Sequence, residues 1–410
     1  MSADLKLPYG RQWLDEGDVA AVRDVLHSDW LTQGPEIQAF ETEFAAACGA
    51  AYAVAVANGT AALHLACLAA GLGPGQTLIT SPITFLASAN CGVYCGAEVA
   101  FADVDPIFPL LDPRALEGVV RQLQQRGAQP KVVVPVHYAG LCCDMKAIAQ
   151  IAHAAGLAVI EDAAHALGAR WTDSVDTWQR MGACSHSAMT TFSFHPVKHI
   201  TTGEGGMITT NSPELAARLR CLRSHGMHKP HPPGDEGGWY YEMEDVGFNY
   251  RLTDLQAALG RSQLRKLDPW VQRRRHIVAR YQEAFAAHRG CRLLVEPAGQ
   301  AASYHLAVLM LSHPDDQPGG SPDTSSLAVK SLAQRRRKFY DFMIAHHVGV
   351  QVHYIPVYRQ PYYRDRYRFD PAAFPHAERF YASCLSLPLF PRMTDDDVAR
   401  VIRLVAEAEA

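Results

Sequence analysis

Lys198 lies in the run TTFSFHPVKHITTGEGG, with Phe192, Phe194, Pro196, Val197 and Ile200 as apolar neighbours. An amine in such company loses hydration, which lowers its pKa and leaves the free base able to attack an aldehyde. Schiff-base chemistry is what this residue type can do in this setting. A lone lysine in a loop is more often simply solvated, so its neighbours have to decide the matter. Ser193 precedes it, and Gly203, Gly205 and Gly206 follow; a hydroxyl and a glycine-rich backbone together offer donors for a phosphate beside the amine.

Three further segments fit the same chemistry if the ligand is pyridoxal phosphate. That cofactor needs a lysine for its aldehyde, a carboxylate for its pyridine nitrogen, a phosphate cradle and a flat apolar partner for its ring. Asp162 follows the apolar run LAVIE and would carry its charge into a cleft; the alternative is a helix N-cap in EDAAHALG. Gly59 and Thr60, in ANGTAALHLA, open a helix pattern whose first N–H groups and dipole favour an anion. Simple capping would also explain Thr60. Phe85, in SPITFLASAN, can stack on a ring or pack in a core. Only the combination discriminates.

Short β-branched runs must position these groups: TLITSP, VAFADV, KVVVPV, LAVIED, MTTFSF and GMITT, separated by helical patterns over 61–72 and 145–156. Strands alternating with helices predict an α/β domain with a mainly parallel sheet, whose ligands collect at the C-terminal strand ends. Residues 82–90, 137–140, 162–165 and 194–198 all fall there. A long helix beginning near Asp254 and running past Arg275, broken at Pro269, leads into a smaller C-terminal domain. The expected division is a large domain over 1–265 and a small one over 266–410, with the segment 1–30 packing on the small domain. The Pro, Gly, Ser and Asp-rich stretch 313–326 reads as an exposed insertion.

Composition narrows the function classes. The chain has 410 residues, 48% hydrophobic, with a net charge of -4; it can bury a large core and offers no basic face for nucleic acid. The cluster RRRK (335–338) reads as the solvated face of an amphipathic helix. No apolar stretch reads as a signal or a membrane span, so a cytoplasmic protein is expected. Ten cysteines show neither disulfide nor zinc spacing. Cys91 and Cys95 share one helix face, and Cys142 and Cys143 are loop residues read as filler before reactive thiols. His225, His228 and His231 have no acidic or cysteine partner at ligand spacing, so no metal is expected.

Together with LPYGRQ, LTQGP, VGFNYRLTDLQAALG, VHYIPVY and LSLPLFPRMTDDDV, these motifs resemble the DegT-type (DegT/DnrJ/EryC/StrS) nucleotide-sugar aminotransferases across nearly the whole chain. The resemblance implies a fold-type I enzyme dependent on pyridoxal phosphate, with a mainly parallel seven-stranded sheet in the large domain and an α+β small domain. It implies Lys198 as the Schiff-base lysine, Asp162 as the partner of the pyridine nitrogen, Phe85 as the stacking residue and His165 near the phenolic oxygen. Thr60, Ala61 and Ser193 match phosphate positions, and Asn249 matches an asparagine reaching the phosphate from a neighbouring subunit, hence a homodimer with shared active sites.

Within the family, PYGRQ, SDWLTQGP, PVHYAG and SFHPVKHITTGEGG are most similar to the transaminases of pseudaminic acid synthesis, which aminate C4 of a UDP-linked 4-keto-6-deoxy-N-acetylhexosamine. Glutamate is then the donor and a UDP-4-keto-6-deoxy-N-acetyl-altrosamine-type sugar the acceptor. Lys198 both anchors the cofactor and shuttles the proton. Thr32, Gln33, His195, His225, His353, Tyr354 and Tyr358 are placed around the sugar nucleotide, each with an ordinary packing role as the alternative. An aminotransferase for another UDP- or dTDP-ketosugar is the runner-up, followed by a non-catalytic binder of the cofactor or sugar nucleotide. A dehydratase would carry histidine in place of Lys198. Two stretches depart from the family pattern beyond the insertion: residues 168–187 are longer than its usual hairpin, and GLCCDM replaces a more polar segment.

Overall fold

The computed structural model describes residues 7–174, 177–231, 233–234, 236–314, 316 and 322–409. Its first half alternates as the hydrophobic pattern requires: α1 (Glu16–Leu26), α2 (Pro35–Cys48), β1 (Tyr52–Val56), α3 (Gly59–Ala69), β2 (Gln76–Thr80), α4 (Ala87–Tyr94), β3 (Glu98–Phe101), α5 (Pro113–Gln125), β4 (Gln129–Val134), α6 (Met145–Ala155) and β5 (Ala158–Asp162). A hairpin of β6 (Arg170–Ser174) and β7 (Thr177–Arg180) interrupts it, and β8 (Met189–Ser193), β9 (Gly206–Thr210) and α7 (Pro213–Arg223) resume it. The short strands β10 (Met227–His228) and β11 (Glu242–Met243) then precede α8 (Asp254–Leu264) and α9 (Leu267–Phe285). The remainder comprises β12 (Cys291–Leu293), β13 (Gln300–Ala301), β14 (Ala307–Leu311), α10 (Ser326–Ala345), α11 (Pro361–Tyr367), α12 (Pro375–Ser383), β15 (Cys384–Leu387) and α13 (Asp395–Glu409).

Seven strands form one sheet in the order β1-β9-β8-β5-β4-β2-β3. Only β9 runs antiparallel, against both β1 and β8, so six strands deliver their C-terminal ends to one edge. Val132, Val133 and Val134 in β4 and all five residues of β9 are buried, as strands covered on both faces require. In β8 the two-residue alternation sends Phe192 into an aromatic cluster with Phe44, ring centroids 5.1 Å apart, and leaves Ser193 on the opposite side, part-exposed. Phe194 joins that cluster against Phe40 and Phe44 at 5.4 and 5.5 Å.

The helical expectations differ in detail. Gly156 ends α6 in the left-handed conformation, where glycine carries no Cβ penalty. The long C-terminal helix breaks at Arg265 and Lys266 and not at Pro269, which falls in the first turn of α9. A proline there forfeits no hydrogen bond, because first-turn N–H groups have no intrahelical partner. Residues 335–338 lie within α10, where Arg335 donates to the Ser312 carbonyl and Arg337 pairs with Asp341.

β12, β14 and β15 form a separate antiparallel sheet. Of the segment 1–30, residues 1–6 lie outside the described residues; Gly349 N–H donates to the Leu7 carbonyl and Leu389 N–H to that of Tyr9, whereas α1 packs on α8. Asp18 of α1 is buried there, accepts from Gln263 at 2.7 Å and forms an ion pair with Lys266 at 2.8 Å. Within 313–326, residues 315 and 317–321 lie outside the described residues; Arg379 pairs with Asp316, and Ser325 caps α10. No helix among the described residues is long and apolar enough to cross a membrane.

Candidate active site

A cavity of about 740 Å3 opens at the C-terminal edge of the large sheet. Asp162 ends β5 in its wall, 5% exposed, and its carboxylate is held on both oxygens: Ser88 Oγ donates to Oδ2 at 2.6 Å and Ala164 N–H to Oδ1 at 3.1 Å. The alternative role survives in reduced form, since Oδ1 caps a turn and no helix follows. Lys198 sits in the loop after β8, which closes on itself through Phe194 N–H to Gly205 O and Thr202 N–H to Phe194 O. Burial lowers the Lys198 pKa to about 8, with the Asp162 carboxylate opposing the shift. Near neutral pH a useful fraction is therefore free amine.

The phosphate-binding end belongs to α3. Asn58 caps it, accepting from Ala61 N–H on its side chain at 2.8 Å and from Ala62 N–H on its carbonyl at 3.1 Å. Ala61 lines the cavity with its amide engaged by the cap, while the amides of Gly59 and Thr60 take no partner among the described residues. A Cβ on Gly59 would come within 2.8 Å of Ser193 Cβ, so only glycine lets the helix start and the serine share one concave cradle. Asn58 is recognisable as an N-cap in ANGTAAL from its residue type alone. Phe85, 56% exposed, presents its ring to the cavity instead of the core. Amine, carboxylate, anion cradle and open aromatic face thus fit pyridoxal phosphate.

His165, His305 and His353 form part of the same wall, with His199 next to His305 outside the lining. The His165 and His305 rings are tilted by 43° with centroids 4.3 Å apart, and His199 lies 5.8 Å from His305. Burial first holds His165, His199 and His305 well below the usual imidazole pKa, followed by the Lys198 charge at His165 and His305 and by the Arg274 charge at His199; burial and then Lys198 bring His353 to about 3. The wall is thus neutral around the amine. His199 and His305 carried no sequence signal: His305 is brought in by the chain just before β14, its N–H donating to Ala139 O and its carbonyl accepting from the buried Arg274.

Of the remaining expected residues, His195, His353 and Tyr354 line the cavity. Thr32, Gln33 and His225 are exposed and lie outside it; Gln33 and His225 have positive φ (58 and 64). Asn249 is exposed and outside it too, bridged to Ser224. Tyr358 is a correction: it is buried, stacks on Phe374 at 4.5 Å and donates to Glu378, so packing is its role. Tyr9, His64, Glu204 and Tyr250 line the cavity without having been singled out.

Cys142 and Cys143 are buried, and burial pushes the Cys142 thiol up, which leaves it inert. The β10–β11 hairpin gathers what the sequence spacing did not show, setting Glu242 and Glu244 3.5 Å from His228. These three groups are solvent-accessible and form a surface ion-pair cluster.

A model of the DegT/DnrJ/EryC1/StrS aminotransferase family matches residues 12–406. The chain is 40% identical over 403 residues to the spore coat polysaccharide biosynthesis protein SpsC of Bacillus subtilis, covering 98% of this chain and 96% of that one. Among solved structures it is similar to Helicobacter pylori PseC, an aminotransferase involved in the biosynthesis of pseudoaminic acid, with a TM-score of 0.85 at 27% identity over 98% of each chain. It is also similar to the sugar aminotransferase Spr1654 of Streptococcus pneumoniae in its PLP form, with a TM-score of 0.83 at 25% identity over 98% of each chain. The chain belongs to the DegT/DnrJ/EryC1/StrS aminotransferase family. It is a sugar aminotransferase of fold-type I, and pyridoxal phosphate is its cofactor.

Proposed function

We propose that this enzyme transfers the amino group of glutamate to C4 of a UDP-linked 4-keto-6-deoxy-N-acetylhexosamine of the altrosamine type, for pseudaminic acid or a related surface sugar. The observation that carries the chemistry is the convergence of Lys198, Asp162 and the α3 cradle on one cavity. The likeness to PseC and SpsC supports the sugar class. Ten free cysteines suit the reducing cytoplasm as its place of work.

Pyridoxal phosphate supplies an electron sink that lets an amino group and a proton leave one carbon and join another. The chain's own residues do the rest. Gly59 and Thr60 N–H groups with Ser193 Oγ would hold the phosphate. Asp162, oriented by Ser88 and Ala164, would keep the pyridine nitrogen protonated, and Phe85 would cover the ring face. Lys198 would anchor the cofactor through its amine and, when free, carry the proton between the donor's Cα and the cofactor; an amine of pKa about 8 can take and give a proton near neutral pH. The neutral histidine wall excludes a second cation from beside it.

Asn249, exposed and outside the lining of its own chain's cavity, would reach the phosphate of a second subunit on this reading. Exposed apolar side chains such as Leu26, Trp30 and Leu31 supply surface for that homodimer. The test of the sugar is a panel of UDP- and dTDP-ketosugars with glutamate as donor, product stereochemistry being read by NMR. Amination at C4 of a UDP-4-keto-6-deoxy-N-acetylhexosamine is expected. Turnover of a 3-keto or dTDP-linked sugar alone would refute the sugar assignment and spare the chemistry.

A further inference from the structure

Lys198 and Asp162 line one cavity, the carboxylate buried and the amine desolvated. Opposite charges taken from water ordinarily close on each other, because pairing offsets part of the cost of burying each. Here they stay apart. No ion pair joins them among the described residues, and the carboxylate acts on the amine through its charge without a hydrogen bond. The Asp162 main chain is fixed by its N–H to Pro135 O at 2.9 Å and by His137 N–H to its own carbonyl at 3.0 Å. Side-chain rotation is the route left to the amine.

The residues at the start of α4 block that route. A carboxylate only accepts, so the Ser88 hydroxyl spends its one hydrogen on Asp162 Oδ2, at 2.6 Å. The Thr84 hydroxyl lies 2.6 Å from Ser88 Oγ and, with the serine's hydrogen committed, is the donor of that pair. The two hydroxyls thus point in series toward Asp162, and the outer one strengthens the donor it feeds. Both side chains are buried. Ser88 is itself held in place: its N–H donates to Phe85 O at 3.2 Å and its carbonyl accepts from the Cys91 thiol at 3.3 Å. The other hold on the carboxylate, Ala164 N–H to Oδ1, is longer at 3.1 Å.

We infer that Thr84 and Ser88 are positioning residues that brace the Asp162 carboxylate off the Lys198 amine, leaving the carboxylate free for the ring nitrogen and the amine free to attack the aldehyde. The inference rests on the proposed roles of Lys198 and Asp162 and adds what separates the two before the cofactor arrives. Removing the Ser88 hydroxyl leaves Oδ2 in want of a donor, and the Lys198 ammonium is a charged donor in the same cavity. A closer carboxylate favours the ammonium, so the amine then titrates higher. The other groups around the lysine do not supply this effect. His165, His199, His305 and His353 are held neutral, burial keeps the proton on Tyr354, and Arg11 and Arg274 line a crevice behind the amine. Glu204 lines the cavity without contributing to the Lys198 shift.

The test is the pH dependence of Lys198 acylation in the cofactor-free protein, read by mass spectrometry. Ser88→Ala should raise the midpoint by about one unit, roughly a tenfold change in proton affinity. Thr84→Val should raise it by less, and Thr84→Ser, which keeps the hydroxyl, should leave it at the wild-type value. In the double variant Ser88→Ala/Asp162→Asn the rise should vanish and the midpoint should fall below that of the wild type. A rise that survives in the double variant means that looser packing has hydrated the amine, and overturns the inference. An unmoved midpoint in folded Ser88→Ala overturns it too, as does one in Thr84→Val if Ser88→Ala does not fold. Cofactor and sugar take no part in this measurement. A shifted midpoint in an enzyme that aminates no ketosugar therefore refutes the proposed function alone, and an unmoved one in an enzyme that does refutes this inference alone.

Discussion

Lys198 combines the two demands on a Schiff-base residue: burial to free its amine and a carboxylate near enough to limit that effect. Acylation of Lys198 in the cofactor-free protein, followed by mass spectrometry across pH, should give a midpoint near 8 instead of the ordinary lysine value of 10.5. Asp162→Asn should move it lower still, because it removes the carboxylate whose charge favours the ammonium. The same shift bears on stability. Between pH 8 and 10.5 the unfolded chain holds a proton on this lysine that the folded chain has lost, so the burden is full below pH 8 and disappears as pH rises past 10.5. Lys198→Met should therefore unfold at higher denaturant concentration than the wild type at pH 7, by roughly 2 kcal/mol, with the difference vanishing at high pH. At this scale the sequence was most legible, since Asp162 ends a strand and Lys198 and Phe85 lie in the loops that follow one. Tyr358 was misplaced because an aromatic near a functional motif looks the same in sequence whether it faces the ligand or Phe374.

The elements place those side chains through their ends. Six strands aim one way, and the start of α3 is pressed against the end of β8, where Gly59 and Ser193 leave no room for a methyl group. Gly59→Ala should thus weaken cofactor binding at least about tenfold by fluorescence titration, the equivalent of 1.4 kcal/mol, while the cofactor-free fold persists. Asn58→Ala, which removes the cap from Ala61, should cost about 1 kcal/mol of stability. Undiminished cofactor affinity in Gly59→Ala would remove the cradle from the account. Strands and helices of this half were readable because β-branched runs and capping residues are local signals. The histidine wall was not, since His305 reaches Lys198 only through the packing of the turn around Ala139 on the chain before β14. The misplaced helix break has a local cause: proline is as acceptable in a first turn as after a last one.

In the whole molecule, the cavity of one chain holds every expected cofactor contact except Asn249. If the homodimer shares its sites, Lys198→Ala and Asn249→Ala proteins, each impaired, should regain activity when unfolded and refolded together, because one site in each mixed dimer has both residues intact. No recovery in demonstrated mixed dimers would confine the site to a single chain. Sequence could reach this scale only through likeness to a family, as composition and periodicity hold no record of which surface meets a second copy. The central claim, amino transfer through Lys198 to a nucleotide ketosugar, is tested most directly by the visible absorbance of the cofactor-loaded protein. Glutamate should bleach it, a UDP-4-keto-6-deoxy-N-acetylhexosamine should restore it, and Lys198→Ala should lose the cycle; persistence of both phases in Lys198→Ala, or bleaching that no ketosugar reverses, would contradict the account.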